Sequence, residues 1–278
     1  MKIVPLGVRG SIAAPGAAFV RYGGHTSCLA VFAAGQDVPR LILDAGTGLT
    51  GLPQLLNGAA YDGQIVLTHL HWDHVQGLPF CPPVDRPEAR VTLHIPVEEA
   101  DGDPVELLAR SFSPPHFPIG PDGLLGTWRF VPLRPGRVDD VVTVAPIAHK
   151  GGLTFGIRVE LDGSTLAYLP DHALNETITP SELASAHALV DGVDVLVHDG
   201  QYLPSERAIA VAYAHATIDR VLEFADACAV GAVVLTHHSP GRTDDALDEL
   251  AATVTRTPGG RPVTFAVQGV GLGVPLRR

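Results

Sequence analysis

Three histidines and one aspartate lie within the six residues from His69 to His74, directly after the apolar run 64–67. The run predicts a buried strand, and side-chain direction in a strand repeats every second residue, so His69 and His71 should point the same way. Asp73 and His74 are adjacent and suit a chain that has left the strand for a loop or a first helical turn. Two pairs aimed differently can serve two neighbouring metal ions. Imidazole with carboxylate favours zinc, iron or manganese over calcium or magnesium.

A purely structural role is the alternative for this stretch. A single histidine is more often exposed or hydrogen-bonded than bound to metal. A structural cluster, however, would leave several half-buried imidazoles and a carboxylate in need of partners, which costs free energy. Four potential ligands in six residues therefore favour metal binding.

The second half of the chain repeats one pattern, an apolar run that ends in a polar side chain able to bind metal. The runs 141–148, 165–170, 193–197 and 232–236 end at His149, at Asp171, at His198 with Asp199, and at His237 with His238. Loops at the ends of a rigid sheet are where sites are usually assembled. Four such coincidences are hard to explain by turn formation alone, so these residues are candidates for one shared site.

Helix signals lie between these runs. Residues 179–182 have the capping threonine, the first-turn proline and the third-position glutamate of a capping box, leading into a helix over 183–190. Thr217 and Thr243 can begin two further helices. Apolar runs at 3–7, 28–32 and 40–46 predict the first strands. Strands with helices between them, and loops that converge at one edge, predict a layered α/β domain.

We expect the 278 residues to form one domain, because no stretch has the composition of a linker. The segment 79–135 is rich in proline and has little periodicity outside 91–95, which is typical of a lid or a binding loop. Within it, residues 113–118 are expected to form an apolar wall beside the metals. A surface loop without a role is the alternative.

The formal charge of −11 disfavours a surface that binds the backbone of DNA or a long RNA, since such binding needs clustered lysine and arginine. Bound metal ions would offset the acidity locally, so a small anionic substrate remains possible. The three cysteines have no metal-like or redox-like spacing and suggest reduced thiols. Without a signal-like or membrane-spanning apolar segment, we expect a cytoplasmic protein that does not enter a membrane.

The motif His-x-His-x-Asp-His at 69–74, together with later histidine and aspartate residues, resembles the signature of the metallo-β-lactamase superfamily. The resemblance covers nearly the whole chain and implies a four-layer αββα sandwich with a dinuclear site at the edge of two sheets. It implies that one metal is held by His69, His71 and His149, that the other is held by Asp73, His74 and His237, and that Asp171 bridges them. Two divalent ions are the expected cofactors, Zn²⁺ first, with Mn²⁺ or Fe²⁺ as alternatives.

Within that superfamily the chain looks most similar to the phosphodiesterase branch, which includes ribonuclease Z and cyclic-phosphate phosphodiesterases. Residues 21–28 are similar to an N-terminal stretch of bacterial members. His198-Asp199-Gly200-Gln201-Tyr202 resembles the His-Glu-Ala-Thr segment of ribonuclease Z, and 215–217 resembles its His-Ser-Thr segment. The resemblance implies that Asp199 and His215 cooperate in proton transfer. The chain has no basic, glycine-rich arm of the kind that ribonuclease Z uses to grip tRNA.

The function expected from this branch is cleavage of a small or cyclic phosphodiester, of the cyclic nucleotide or cyclic ribose phosphate type. A metal-bound hydroxide would be the nucleophile, and Asp73, Asp199 and His215 would be the catalytic residues. Arg9 and Lys150 could neutralise the phosphate, although solvated surface roles are the simpler interpretation. A lactam, lactone or thioester hydrolase is one alternative, and a non-catalytic nucleotide-binding sensor is another. A homodimer is expected only by analogy.

Overall fold

The computed structural model describes residues 1–98 and 102–275. Within these ranges the first sheet contains β1 (Lys2–Gly7), β2 (Cys28–Phe32), β3 (Leu41–Leu43), β4 (Asp62–Val66), β5 (Arg90–Pro96), β6 (Thr127–Leu133) and β14 (Leu272–Gly273). The strand order is β14-β1-β2-β3-β4-β5-β6. Pairing is antiparallel from β14 to β3 and parallel from β3 to β6.

The second sheet is built in the same way. It contains β7 (Gly136–Arg137), β8 (Val142–Pro146), β9 (Phe155–Leu161), β10 (Ser164–Leu169), β11 (Val195–Asp199), β12 (Ala232–Thr236) and β13 (Val263–Phe265). The order is β13-β12-β11-β10-β9-β8-β7. Pairing is antiparallel from β7 to β10 and parallel from β10 to β13. Each sheet therefore has a parallel half, whose strands all end at one edge.

The helices are α1 (Leu52–Leu55), α2 (Trp72–Val75), α3 (Pro104–Ala109), α4 (Pro180–Val190), α5 (Arg207–Tyr213), α6 (Ile218–Ala227) and α7 (Asp244–Thr253). Short 3₁₀ turns occur at Ala17–Phe19, Thr47–Gly51, Leu78–Phe80, Pro121–Gly123 and Pro204–Glu206. The predicted capping box of α4 is present, since Thr179 Oγ1 accepts from the Glu182 amide at 3.2 Å and Glu182 accepts from the Thr179 amide at 2.8 Å. Among the described helices, none has the length and apolar character needed to cross a bilayer.

Alternating side chains divide the interior into three cores. On β11, Val195 and Val197 pack in the core between the two sheets, whereas Leu196 packs under the helices of the second sheet. On β3, Leu41 and Leu43 likewise face the other sheet, and Ile42 belongs to the core on the outer side of the first sheet. Because strand side chains alternate, each sheet buries both faces. The expected α/β fold, a four-layer αββα sandwich, is therefore confirmed.

The proline-rich segment 79–135 is more regular than its sequence indicates, because β5, α3 and β6 lie within it. Residues 99–101 of this segment lie outside the described ranges. The ring of Phe117 lies 5.5 Å from that of Phe80 and 5.9 Å from that of Phe112, and it packs on the outer core of the first sheet. Phe117 thus finds its apolar partners on that outer face, and the apolar wall expected of 113–118 beside the metals stays a prediction.

Candidate metal centre

The parallel half of the second sheet brings three predicted site residues to one edge. Asp199, the last residue of β11, pairs with the last residue of β12, directly before His237. The pairing of β10 with β11 ends two residues before Asp171. His149 follows β8, which belongs to the same sheet. The strand ends that the sequence marks with polar residues therefore converge, as expected.

The first sheet supplies the remaining donors from the segment after β4. His71 is still extended, with φ −64° and ψ 150°, and α2 starts at the next residue, so that Asp73 and His74 lie in a first helical turn as predicted. The Asp44 carboxylate accepts hydrogen bonds from the Thr68 amide at 2.7 Å and from His74 Nδ1 at 2.8 Å. This contact orients the imidazole of His74 and turns its Nε2 towards the other donors.

The seven predicted ligands form two groups, and the donor atoms within each group lie within 4.8 Å of one another. The first group is His69, His71, His149 and Asp171, and the second is Asp73, His74, His237 and Asp171. Asp171 belongs to both groups. Its Oδ2 lies 3.5 Å from His69 Nε2 and 3.4 Å from His149 Nε2, whereas its Oδ1 lies 3.3 Å from His74 Nε2 and 2.8 Å from His237 Nε2.

The hydrogen bonds of the imidazoles show what these groups can hold. The Nδ1 atoms of His69, His74 and His149 bond to Thr68 Oγ1, Asp44 Oδ2 and the Ala214 carbonyl at 3.0, 2.8 and 2.9 Å. The buried Nε2 atoms of the same three rings form no hydrogen bond with any described residue. A buried polar atom without a partner costs free energy, and imidazole nitrogens held in this way are typical metal donors. The donor set therefore fits divalent metal ions.

The electrostatics of the cluster favour positive charge between the two carboxylates. Burial raises the pKa of Asp171, but His237 and His74 outweigh it and hold that pKa well below its usual range. Burial lowers the pKa of His237, but Asp171 and the hydrogen bonds to Asp171 and Asp73 raise it to about 10. Ionised carboxylates in a buried site need compensating cations, which protons or metal ions can provide.

A glycine–serine turn after β1 positions the second group. The Ser11 amide donates to Asp73 Oδ2 at 2.8 Å. A Cβ atom on Gly10 would lie 2.3 Å from His237 Nδ1, so a side chain there would displace the imidazole. The glycine-rich sequence at 7–11 therefore provides a backbone amide that orients a site aspartate.

The two basic residues proposed as phosphate contacts have different positions. Arg9 is fully buried and donates Nε to the Gly23 carbonyl and Nη1 to the Arg242 carbonyl, both at 2.7 Å. It therefore has neither a solvated role nor access to a substrate, because these carbonyls and Asp244 use its donors. Lys150 is exposed at the site, and its Nζ donates to the Ala212 carbonyl at 3.0 Å.

The predicted proton-transfer pair is assembled next to both groups. His215 Nδ1 lies 2.7 Å from Asp199 Oδ2, and the other Asp199 oxygen accepts from the Gln201 amide at 2.9 Å. Burial raises the pKa of Asp199, but the His215 imidazole lowers it below its usual value overall. The His215 ring lies 5.0 Å from the ring of His149 and 5.3 Å from that of His237. A histidine held by a buried aspartate is thus adjacent to both ligand groups.

One cavity of about 710 Å³ opens over these residues. Its lining includes the candidate ligands His71, Asp73, His149, Asp171 and His237, together with His215 and Lys150. The sequence does not mark the remaining lining residues as candidates; they are Ser11, Leu70, Trp72, Gly151, Tyr202 and Tyr213. Trp72 lies inside the histidine motif, which is the one sequence signal that could have drawn attention to it. The volume suits a small molecule.

Several known proteins resemble this chain in sequence or structure. A family model described as a beta-lactamase superfamily domain matches residues 40–238. Ribonuclease Z of Exiguobacterium sp. (strain ATCC BAA-1283 / AT1b) is 38% identical over 82 residues, which cover 28% of this chain and 26% of that protein. The chain therefore aligns with only about a quarter of this relative's length.

Two solved structures share the fold along nearly the whole chain. A diphosphatase from the PhnP family has a TM-score of 0.69 and 18% identity, covering 99% of this chain and 98% of its own. Zn²⁺-bound PqqB from Methylobacterium extorquens has a TM-score of 0.68 and 18% identity, covering 98% of this chain and 100% of its own. At this identity the likeness establishes the common fold.

Proposed function

Because this chain belongs to the β-lactamase superfamily and has the metallo-β-lactamase fold of metal-dependent hydrolases, we propose that it is a dinuclear phosphodiesterase. Its substrate is a small or cyclic phosphodiester, of the cyclic nucleotide or cyclic ribose phosphate type. The observation that carries the proposal is the His215–Asp199 pair, which lies beside both ligand groups, with His215 lining their cavity. The local similarity to a ribonuclease Z supports the same chemistry.

We propose that each of the two ligand groups holds one metal ion. One ion is assigned to His69, His71 and His149, the other to Asp73, His74 and His237, and Asp171 is assigned to both. Two divalent cations held there would supply a water of lowered pKa and polarise the phosphoryl oxygens. Zinc is the proposed metal because the donors are imidazole and carboxylate, with manganese or iron(II) as alternatives.

The chain's own groups position the reactants and move one proton. Asp199 engages Nδ1 of His215, which leaves Nε2 of that ring for the cavity. His215 donates its Nε2 proton to the leaving alkoxide, and the Asp199 carboxylate stabilises the charged imidazole before transfer. The Ser11 amide holds Asp73 in place throughout.

The leaving group provides the test of this role. His215→Asn and Asp199→Asn should lower kcat for a 2′,3′-cyclic phosphodiester by about 10²- to 10⁴-fold, because its alkoxide leaving group needs a proton. The same variants should lose much less on bis(p-nitrophenyl) phosphate, since nitrophenolate leaves without one. Metal content should remain that of the wild type. Equal losses on both substrates would assign the pair a structural role instead.

Carbonyl substrates are the competing possibility, because the same ligand set could serve lactams, lactones or thioesters. Assays of the metal-loaded protein with nitrocefin, a lactone and the two phosphodiesters separate the reactions. Phosphodiester turnover that Asp73→Ala abolishes is the expected result. Turnover of the lactone alone, or nucleotide binding without any turnover, would overturn the proposal in favour of a carbonyl hydrolase or a sensor.

The proposal also limits which molecules the protein binds. A small anionic phosphodiester is the proposed substrate, and long nucleic acid is excluded from the proposal because the chain carries a net charge of −11. Cytoplasmic location and a homodimer stay predictions. Buried, unpaired Cys28, Cys81 and Cys228 suit a reducing compartment.

A further inference from the structure

Two large aromatic side chains, Trp72 and Tyr213, stand exposed on the wall of the cavity that contains the ligand groups. Their exposed fractions are 72% and 60%, and both line the cavity. The chain has two tryptophans and five tyrosines, and a further one of them, Tyr202, lines the same cavity. Contact between an exposed aromatic ring of this size and a flat ligand is favourable, because it buries apolar surface on both. We call Trp72 and Tyr213 the aromatic rim.

The aromatic rim is anchored directly beside the reacting groups. Trp72 is the first residue of α2 and lies between the candidate ligands His71 and Asp73. Tyr213 ends α5 and precedes Ala214, whose carbonyl accepts the hydrogen bond from His149 Nδ1 at 2.9 Å. A ligand that reaches the candidate metal centre with one group therefore has the rings within reach of its other end.

The charge of the cavity limits how many phosphates it can take. Among the described residues that line it, Lys150 is the one lysine or arginine, and its Nζ lies 5.9 Å from the centre of the Tyr213 ring. One ammonium group together with the ligand groups suits a single phosphate. Further phosphates would stay uncompensated in a chain whose net charge is −11.

The lining also distinguishes a base from a bare sugar. Apart from the ligand groups and His215, the hydrogen-bonding side chains of the lining are Ser11, Lys150, Trp72, Tyr202 and Tyr213, and three of these five are aromatic rings. The hydroxyls of a sugar need several such groups, whereas a nucleobase stacks on an aromatic ring through its π-face. The aromatic surface is therefore better matched to a base.

Resting on the phosphodiesterase function proposed above, we propose that the aromatic rim binds the base of the substrate. The substrate is then a nucleotide with one phosphodiester group, rather than a base-free sugar phosphate. Trp72 and Tyr213 determine this specificity. They contact the base and take no part in proton transfer.

The kinetic test compares a base-bearing with a base-free substrate, 2′,3′-cyclic AMP with the 2′,3′-cyclic phosphate of methyl riboside. Trp72→Leu and Tyr213→Leu should reduce the ratio of their kcat/KM values by roughly 5- to 100-fold, mainly through KM for the nucleotide. Trp72→Phe and Tyr213→Phe keep a ring and should keep most of the ratio. Ile209→Ala, on an α5 residue that is 49% exposed and outside the cavity lining, should leave the ratio unchanged.

A binding experiment separates failure of this inference from failure of the phosphodiesterase proposal. Stacking of a base on Trp72 should quench its fluorescence, so AMP should quench metal-loaded wild type more strongly than Trp72→Phe, where Trp128 is the remaining tryptophan. Ribose 5-phosphate should quench neither. Saturable quenching without turnover of any phosphodiester would overturn the proposed function but support the base site. Absence of quenching by AMP, or Leu variants with the wild-type kinetic ratio, would overturn the base site.

Discussion

At the scale of single residues, Asp171 is the candidate ligand that the two groups share. Each of its oxygens faces two imidazole nitrogens, one pair from each ligand group. Loss of its charge therefore weakens both groups together. A substitution in His71, which belongs only to the first group, leaves the second intact.

We expect Asp171→Asn to lose metal from both positions, because the shared carboxylate is replaced by a neutral amide. The loss of affinity should exceed the about 10- to 100-fold that removal of an outer hydrogen-bonding partner costs. Elemental analysis after dialysis measures the metal remaining per chain, with His71→Ala as the matched control. The expectation is wrong if Asp171→Asn retains as much metal as that control.

His94, which lies outside the candidate metal centre, makes a pH-dependent contribution to the stability of the folded protein. It is 8% exposed, and its Nε2 lies 2.9 Å from Gln64 Oε1. Burial lowers its pKa in the folded protein. A histidine with a lowered folded pKa contributes stability above the unfolded pKa of about 6.5, and that contribution is lost as the pH falls below it, because the unfolded chain takes up the proton first.

Wild type should accordingly lose more stability than His94→Gln when the pH falls from 7 to 5. The difference in the slope of unfolding free energy should approach, at most, about 1.4 kcal/mol per pH unit, which is the limit for one proton. Urea denaturation of the metal-loaded proteins at several pH values measures it. Parallel stability curves for the two proteins would contradict this role.

Single residues also mark what the sequence could predict. His69, His71, Asp73 and His74 are recognisable because their spacing within one strand end and one helical turn carries the signal. The contact between Ser11 and Asp73 is not recognisable in this way, because it joins residues 62 positions apart through a backbone N–H that every residue type except proline has. Contacts of this kind follow from the tertiary fold rather than from residue identity.

At the scale of elements, the strands that end in site residues were predictable because apolar runs with a polar end have a strong pattern. The helix α5 was not predicted. It has only seven residues, and Ala210 is its buried one, so no apolar stripe reveals it. Thr217 occupies the predicted N-cap position directly before α6, but its side chain forms no capping hydrogen bond. The sequence thus predicts where this helix begins, but it does not predict whether the threonine side chain forms the capping hydrogen bond.

Substitutions of the N-cap residues Thr179 and Thr217 should differ in their effect on the free energy of unfolding. Thr179→Ala should destabilise the protein by about 1 kcal/mol, because it removes a capping box at the start of α4. Thr179→Ser keeps the hydroxyl and should cost little. Thr217→Val should show no capping loss, since that hydroxyl caps nothing. Chemical denaturation measures all three, and equal losses for Thr179→Ala and Thr217→Val would contradict the assignment.

At the scale of the whole molecule, the candidate metal ligands come from both sheets. His69, His71, Asp73 and His74 follow β4 of the first sheet, whereas His149, Asp171 and His237 follow strands of the second. Ions bound by both sets would join the two halves of the sandwich. A ligand that binds only the folded state stabilises it in proportion to the logarithm of its concentration over Kd.

Chelation should therefore lower the melting temperature, and zinc should restore it. With free zinc at about 1,000 times Kd, the stabilisation is about 4 kcal/mol for one site. Differential scanning calorimetry before and after treatment with a chelator measures the shift. Asp171→Asn is the control and should respond weakly to both. An unchanged melting temperature in wild type would argue against ions that join the sheets.

The positions of the candidate ligands along the chain also determine the order in which they are synthesised. The first four donors are complete at residue 74, but the second set is complete only with His237. A growing chain therefore has four of the seven candidate ligands from residue 74 onwards and gains His149, Asp171 and His237 one at a time. Metal held by both sets would therefore be retained only once the strands that carry His149, Asp171 and His237 dock onto the first sheet.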